Sequence, residues 1–282
     1  MSAVRGFALK ATNFIVGEDF WRGVVAIIVF LILWEMGSRS QSWFGFAFPW
    51  VSQVPPPTAV LQEIYRLIQE PSFWHSAYLS TLRVTEGFLA AMVIGIPLGL
   101  AMAVSRTFYG ISFPVFEVLR PIPPLAWVPA AIIFWPTQEL SIAFVTFLGA
   151  FFTIVINVIG GARAIDVRYF QAARSMGSST WDIFRRIILP GTLPSIVVGA
   201  TVGIGITWAV VVAAEMISGG GSAGSVGGAA GGGLGFFIWN SYVGGSYTQI
   251  VAGMISIGIA GYLSSALLRK IGELMTPWLA EG

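Results

Sequence analysis

An all-α integral membrane protein with about six transmembrane helices is the fold class this sequence predicts, and three observations predict it. Of its 282 residues, 56% are hydrophobic and 10% charged, whereas soluble domains carry about a quarter charged residues; mean hydropathy is +0.80. The apolar residues gather in runs of roughly 20, the length that crosses a bilayer as a helix. The cationic residues gather in alternate connections, the asymmetry that orients such helices. The same numbers exclude other classes. A net charge of +2 is too small for nucleic-acid binding, and with no Cys there are no disulfides, thiol nucleophiles or thiolate metal sites. One His and scattered carboxylates argue against a catalytic metal cluster.

Taken in order, a weakly basic N-terminus (Arg5, Lys10, Arg22) leads into a first span, Gly23 to Ser38. A cleavable signal peptide is the alternative, but the run begins late and the following Glu35-Met-Gly-Ser-Arg lacks a small-residue cleavage site. Trp43, Phe44, Phe46, Phe48 and Trp50 then form an interfacial belt. Pro55-Pro-Pro57 stiffens the entry to an external amphipathic helix over Thr58–Glu70, with Val60, Leu61, Ile64, Leu67 and Ile68 on its apolar face. Span two is expected at Val84–Val104, a turn at Ser105–Ser112, and span three at Phe113–Trp135. Pro121, Pro123, Pro124 and Pro129 bar span three from being one regular helix. Spans four, five and six follow at Leu140–Ile159, Leu193–Ile217 and Thr248–Leu268. Gly219–Gly233 is a Gly-rich linker without the Lys or spacing of a phosphate loop; it reads as a tolerated expansion, with a mobile lid as the alternative. The chain thus divides into an N-terminal segment (1–75), a transmembrane domain (76–274) and a short tail (275–282). Six spans place both termini, the Arg106 turn and the 162–190 connection on the side richer in Arg and Lys, the cytoplasmic side.

Ionisable groups at membrane depth are costly and raise a functional hypothesis. Arg83 with Glu86, and Glu117 with Arg120, stand three apart on helical faces, the spacing of internal ion pairs that fix packing. A functional reading competes: an unwound backbone from Pro121, with Arg120 beside it, would lend positive potential to an anion pathway. Glu215 ends span five beside the glycines. Trp127 and Asn157 join Arg120, Glu117, Pro121 and Glu215 as candidate pathway residues, while Trp208, Trp239 and Asn240 read as pathway or interface anchors. Thr146, Thr153, Thr201 and Thr207 suit a weakly polar wall, and His75 an interfacial polar position.

The whole chain is organised around Ala162–Pro190, a polar interruption that holds five of the fifteen Lys and Arg residues. Asp166 can cap a first short helix ending at Met176, Gly177 supplies a bend, and a second helix runs from Ser178 or Ser179 to Pro190. Ala172 and Ala173 leave a shallow surface rimmed by Arg174, Arg185 and Arg186. An ordinary amphipathic loop would show some of this. Gln171-Ala-Ala, then Gly177, then nine residues and Ile187-x-Leu189-Pro190 together resemble the EAA loop of permease subunits in bacterial ABC importers. Gln171 departs from the usual Glu, and with it goes the charge for a contact to an ATPase arginine. Leu119-Arg-Pro-Ile-Pro-Pro-Leu-Ala-Trp127, Phe147–Phe152, Ala213-Ala-Glu215-Met and Leu234–Asn240 resemble the branch serving nitrate, nitrite, bicarbonate, cyanate, sulfonates and taurine.

That resemblance implies a non-enzymatic pore subunit of an importer in the bacterial inner membrane. Gln171, Ala172, Ala173, Arg174, Gly177, Arg185, Arg186, Leu189 and Pro190 would then contact cytoplasmic ABC ATPase subunits, which bind the ATP and Mg; this chain binds no cofactor. A second permease copy or paralogue would complete the pathway within the lipid, and an external solute-binding protein or lipoprotein would deliver the solute. Trp239–Asn240 favours nitrate or bicarbonate over alkanesulfonates. A secondary transporter, which needs coupling carboxylates and usually visible repeats, and a membrane scaffold are the competing readings.

Overall fold

A computed structural model describes residues 18–46, 49–219 and 232–279. The basic positions Arg5 and Lys10, Phe48 of the aromatic belt and most of the Gly219–Gly233 linker lie outside them. Every regular element among the described residues is helical, and the helices divide into two compact units.

The first unit comprises the chain up to Gln69 together with Gly245–Ala252. It holds α1 (Glu18–Ser38), the short α2 (Ser40–Phe44), a 3₁₀ turn at Val51–Gln53 and α3 (Pro57–Ile68). Pro57 occupies the first position of α3, where its missing N–H is no loss, but Pro56 before it has no side chain able to cap. Glu35 of α1 supplies the cap: its Oε2 accepts from the Thr58 backbone N–H at 3.2 Å and its Oε1 from the Thr58 hydroxyl at 2.9 Å. Arg39 completes the clasp, donating to Glu35 and, at 2.9 Å, to Thr58 Oγ1. Val60 and Leu67 of α3 are buried as the periodicity predicts. Leu61 and Ile68 are instead exposed, because the buried stripe is narrower than the five-residue face expected for them. On the outer side of α3, Arg66 donates to Glu63 at 3.1 Å and holds that carboxyl below its ordinary range.

The second unit takes Glu70–Gly244 and Gly253 onward. Its helices are α4 (Pro71–Val104), α5 (Arg106–Leu119), α6 (Val128–Phe134), α7 (Gln138–Arg163), α8 (Val167–Ser175), α9 (Thr180–Ile183), α10 (Leu189–Gly219) and α11 (Leu234–Val243). The last long helix, α12 (Tyr247–Met275), begins in the first unit and continues in this one. Among the described residues five helices are long and apolar enough to cross a membrane, or six if the bent pair Arg106–Leu119 and Pro124–Phe134 is one span. Helix α7 is the centre of the unit, packed on α4 and α10. Ala150, Ile154, Val155 and Val158 along it are fully buried. Gly87 and Gly99 of α4 permit close approach to α7, since a Cβ on Gly87 would strike Thr146 Oγ1 and one on Gly99 would meet Val158 Cβ at 2.8 Å.

Two expectations about element boundaries are corrected and a third holds. Residues 106–112 are helix rather than turn: the Ser105 hydroxyl accepts from the Phe108 N–H at 3.2 Å and starts α5 there. An aromatic column then docks α5 on α7, with Phe116 5.3 Å from Phe152 and Tyr109 stacked 4.4 Å from Phe113. Span three bends by 87° between Leu119 and Pro124, the break that its prolines predict. Pro190 does not end its helix. The chain widens into a π turn over Phe184–Ile188, where the Leu189 N–H reaches back to the Phe184 carbonyl, and continues as α10. A widened turn removes the clash between the proline ring and the preceding carbonyls.

Candidate functional site

The connection between α7 and α10 folds as its local signals dictate. The Asp166 side chain accepts from the Arg168 N–H at 2.8 Å and caps α8. Ser179 and Asp182 form a reciprocal capping box on α9, with Asp182 N–H donating to Ser179 Oγ at 3.2 Å. Between them Gly177 adopts φ +77°, in the left-handed region, and the Ser178 N–H returns to the Ala173 carbonyl at 3.0 Å. Gln171, Ala172, Arg174, Arg185 and Arg186 are exposed. Ala173 is buried, so the expected alanine surface is half turned inward, and Leu189 and Pro190 are half-buried where the π turn joins α10.

The exposed apolar residues here were not picked out from the sequence. Val167, Tyr169, Met176 and Trp181 are each at least 60% exposed on a connection that also carries five arginines. Trp181 stacks on Phe184 at 5.6 Å, which presents it as a rigid surface. Beneath the connection a cavity of about 340 Å³ is lined by Phe170, Arg174, Ser178 and Phe184, with Val104 of α4 and Ala162 of α7. Arg163 lies over the Tyr109 ring at 3.8 Å and ties the end of α7 to α5.

The second concentration of chemistry is a buried charge cluster at Arg83. The expected pairing with Glu86 is not formed: Glu86 is exposed, while Arg83 is buried and turned to other helices. Its Nη1 donates to Glu215 Oε1 of α10 at 2.9 Å and to the Gly232 carbonyl at 2.5 Å. Its Nε and Nη2 grip Glu139 at the start of α7, at 2.8 and 2.6 Å. Glu215 also accepts from Ser80 Oγ at 2.8 Å and from the Gly235 N–H at 2.9 Å, while Ser80 Oγ accepts from the Leu234 N–H at 2.8 Å. Helix α11 starts on a glycine with no side chain to cap it, so Glu215 and Ser80 serve its first N–H groups. The Gly-Leu-Gly run follows from this. Gly233 has φ +129° and a Cβ on it would strike the Glu215 carboxylate; one on Gly235 would strike the Val212 carbonyl.

The remaining predicted residues are spread over the unit. Glu117 and Arg120 are both exposed and, among the described residues, form no ion pair with each other, which removes the expected structural pair. Arg120 stands at the C-cap of α5 immediately before the bend. Trp127 lies in the 3₁₀ turn after it, edge-on to Phe144 at 6.4 Å, with a buried Nε1 that has no hydrogen-bond partner. Asn157 donates to its own helix at Thr153, as Thr146, Thr201 and Thr207 do at Ile142, Val197 and Gly203. Their donors are therefore satisfied within the helices that carry them. Trp208 is buried with Nε1 bonded to Ser264 at 2.9 Å, an interior anchor. Trp239 is half-buried against Tyr242 and Asn240 is exposed. Glu215 belongs to the buried cluster, so it is enclosed and fully partnered rather than facing an open path.

Membrane-length apolar helices with close glycine contacts, a bent proline-rich pair and a folded cationic connection define a polytopic membrane protein. Residues 95–280 match the family described as binding-protein-dependent transport system inner membrane component, and the chain belongs to that family. It is a permease component of an ABC importer, a family in which the ATPase is on separate subunits. The nitrate import permease protein NrtB of Synechocystis sp. is 34% identical over 274 residues, covering 94% of this chain and 92% of the relative. The taurine transport system permease protein TauC of Escherichia coli is 31% identical over 233 residues, covering 81% of each. In fold, the chain resembles the inward-facing MetNI methionine ABC transporter, with a TM-score of 0.59 at 22% identity over 74% of this chain and 99% of that one.

Proposed function

We propose that this chain forms the pore of an ATP-driven importer for a small oxyanion, nitrate, nitrite or bicarbonate, working by alternating access. The observation that carries the coupling half of this reading is the connection around Gly177. It exposes Val167, Tyr169, Met176 and Trp181 on a polar, arginine-rich loop, and apolar surface of that kind outside the lipid marks a protein-binding face. An ATPase subunit docked there would convert closure of its nucleotide site into movement of α7 and α10, which the connection joins directly. In this reading ATP and Mg are held by the partner subunits and this chain binds no cofactor. The connection and both termini are cytoplasmic, a second permease copy or paralogue completes the pathway, and an external binding protein delivers the solute.

The similarity to a nitrate permease along nearly the whole chain supports the oxyanion assignment. The similarity to a taurine permease keeps a sulfonate as the second reading. A proton- or ion-coupled transporter is disfavoured, because the buried carboxylate of Glu215 is committed to Arg83, Ser80 and Gly235 rather than free to exchange a proton.

Proteoliposomes holding the permease with its ATPase and binding protein test the assignment by ATP-dependent uptake of labelled nitrate, bicarbonate and taurine. Nitrate or bicarbonate uptake is expected; taurine uptake alone would establish the second reading. In the same assay Gly177→Val places a β-branched residue at positive φ. Uptake and solute-stimulated ATP hydrolysis should both fall with membrane insertion unchanged, and normal uptake at normal expression would refute coupling through this bend.

A further inference from the structure

We propose that the Nε/Nη2 fork of Arg83 is a binding site for a planar oxyanion, and that the Glu139 carboxylate occupies it as a displaceable internal stand-in. The proposal rests on the reading of the chain as an anion importer and adds a site to it.

The two carboxylates on Arg83 are unlike. Glu215 has a side chain 0% exposed and two partners besides Arg83, the Ser80 hydroxyl, which itself accepts from the Leu234 N–H, and the Gly235 N–H at the start of α11. Glu139 is 49% exposed and, among the described residues, accepts from Arg83 alone. Arg83 and Glu215 already neutralise one another inside the protein. Glu139 is therefore not needed to balance a buried charge, yet it takes the one face of the guanidinium that matches a carboxylate with two parallel bonds. Nitrate and bicarbonate are planar, singly charged, and present a pair of oxygens as a carboxylate does. Exchanging Glu139 for either one keeps the charge of the cluster and both hydrogen bonds to the fork.

Release of Glu139 is also inexpensive. It is the second residue of α7, so a freed carboxylate returns to water while remaining beside a helix N-terminus, which favours negative charge. A tethered competitor presents itself at an effective concentration on the order of millimolar or above. The fork therefore opens only to an anion delivered at high local concentration and lets it go again. Weak, reversible binding of this kind suits a permeation path better than a deep trap does.

The test uses the full-length permease assembled with its ATPase in lipid nanodiscs. Nitrate is titrated at constant ionic strength against chloride, and Tm is followed by tryptophan fluorescence. Glu139→Ala should make Tm rise with nitrate at a midpoint at least tenfold below that of wild type, and chloride should not reproduce it. Glu139→Gln, which keeps the shape and drops the charge, should respond in the same direction if the alanine variant assembles poorly. Adding Arg83→Lys to Glu139→Ala keeps a cation but removes the fork, and should abolish the response. Equal nitrate response in wild type and both Glu139 variants, an equal response to chloride, or persistence in the Lys variant would overturn the proposal. In reconstituted uptake, Glu139→Gln should lower KM several-fold and lower the maximal rate, whereas a merely structural clasp predicts no fall in KM. Wild-type uptake stands apart: if it carries neither nitrate nor bicarbonate, the importer reading fails whatever the Tm data show.

Discussion

Arg120 stands at the C-cap of α5, where Pro121 next in line cannot continue the helical hydrogen bonding. Glu117, one turn earlier, is exposed and does not engage it. An anion leaving water pays a large desolvation penalty, so a path through the protein needs positive potential nearby without a tight cage. An exposed Arg120 before a bent span would offer that, and with no Glu117–Arg120 ion pair among the described residues the consequences are separable. Arg120→Gln should keep assembly and basal ATP hydrolysis but lower anion uptake. Arg120→Lys should be intermediate, because it keeps the charge and loses the planar fork. Glu117→Gln should change uptake less. Lying at two exposed positions, all three variants should shift stability by no more than about 0.5 kcal/mol. Melting temperatures and uptake measured on the same preparations check this. Uptake that merely follows protein level, with melting losses in parallel, would leave Arg120 a packing residue.

Two helices here begin on residues that cannot cap them, and each borrows a carboxylate from another helix. Pro56 precedes α3 and Gly233 precedes α11; Glu35 and Glu215 accept the N–H groups their own segments leave open. The α11 device is buried, so it should matter more. Ser80→Ala removes the hydroxyl that links Glu215 to Leu234 N–H and should destabilise by about 1–2 kcal/mol. Thr58→Ala, at an exposed position, should lose less than about 1 kcal/mol. Detergent unfolding midpoints on the two variants test that order, and an equal or reversed order would contradict it. What was legible in the sequence follows the same division. Local signals were readable: the Asp166 and Ser179 caps, the Gly177 bend and the proline break of span three each act within a few residues. Arg83 was read against Glu86, three residues away, because its true partners lie 56 and 132 positions along the chain. Helix α11 was missed because its cap is supplied from α4 and α10, and the run through Pro190 because a π turn leaves no residue signature. The exposed Trp181 could have been noticed, since an aromatic flanked by charged and polar residues has no core to enter.

At the scale of the whole molecule the question is what the cationic connection meets. Arg174, Arg185 and Arg186 are exposed, and Arg186 has only a loose contact to Asp182 at 3.9 Å, so most of this charge is not consumed within the chain. If an ATPase subunit presents an acidic rim around an apolar socket for Trp181 and Met176, the two kinds of contact should separate by experiment. Surface ion pairs contribute about 0–1 kcal/mol each, so reversing Arg174 or Arg185 alone should leave co-purification nearly intact. The double variant Arg174→Glu with Arg185→Glu reverses two charges and converts attraction to repulsion, and its association should weaken most at low salt, where screening is least. Trp181→Ala removes a buried-on-binding aromatic and should weaken association by about 2 kcal/mol or more, with little dependence on salt. The chain contains no Cys, so a single Cys introduced at Met176 would be the one permease thiol available for cross-linking to the partner. Cross-linking there that is lost in Trp181→Ala at any ionic strength, and lost in the double reversal only at low salt, is the expected pattern. A double-reversal complex of full stoichiometry at all salt concentrations would assign the recognition to the apolar socket alone.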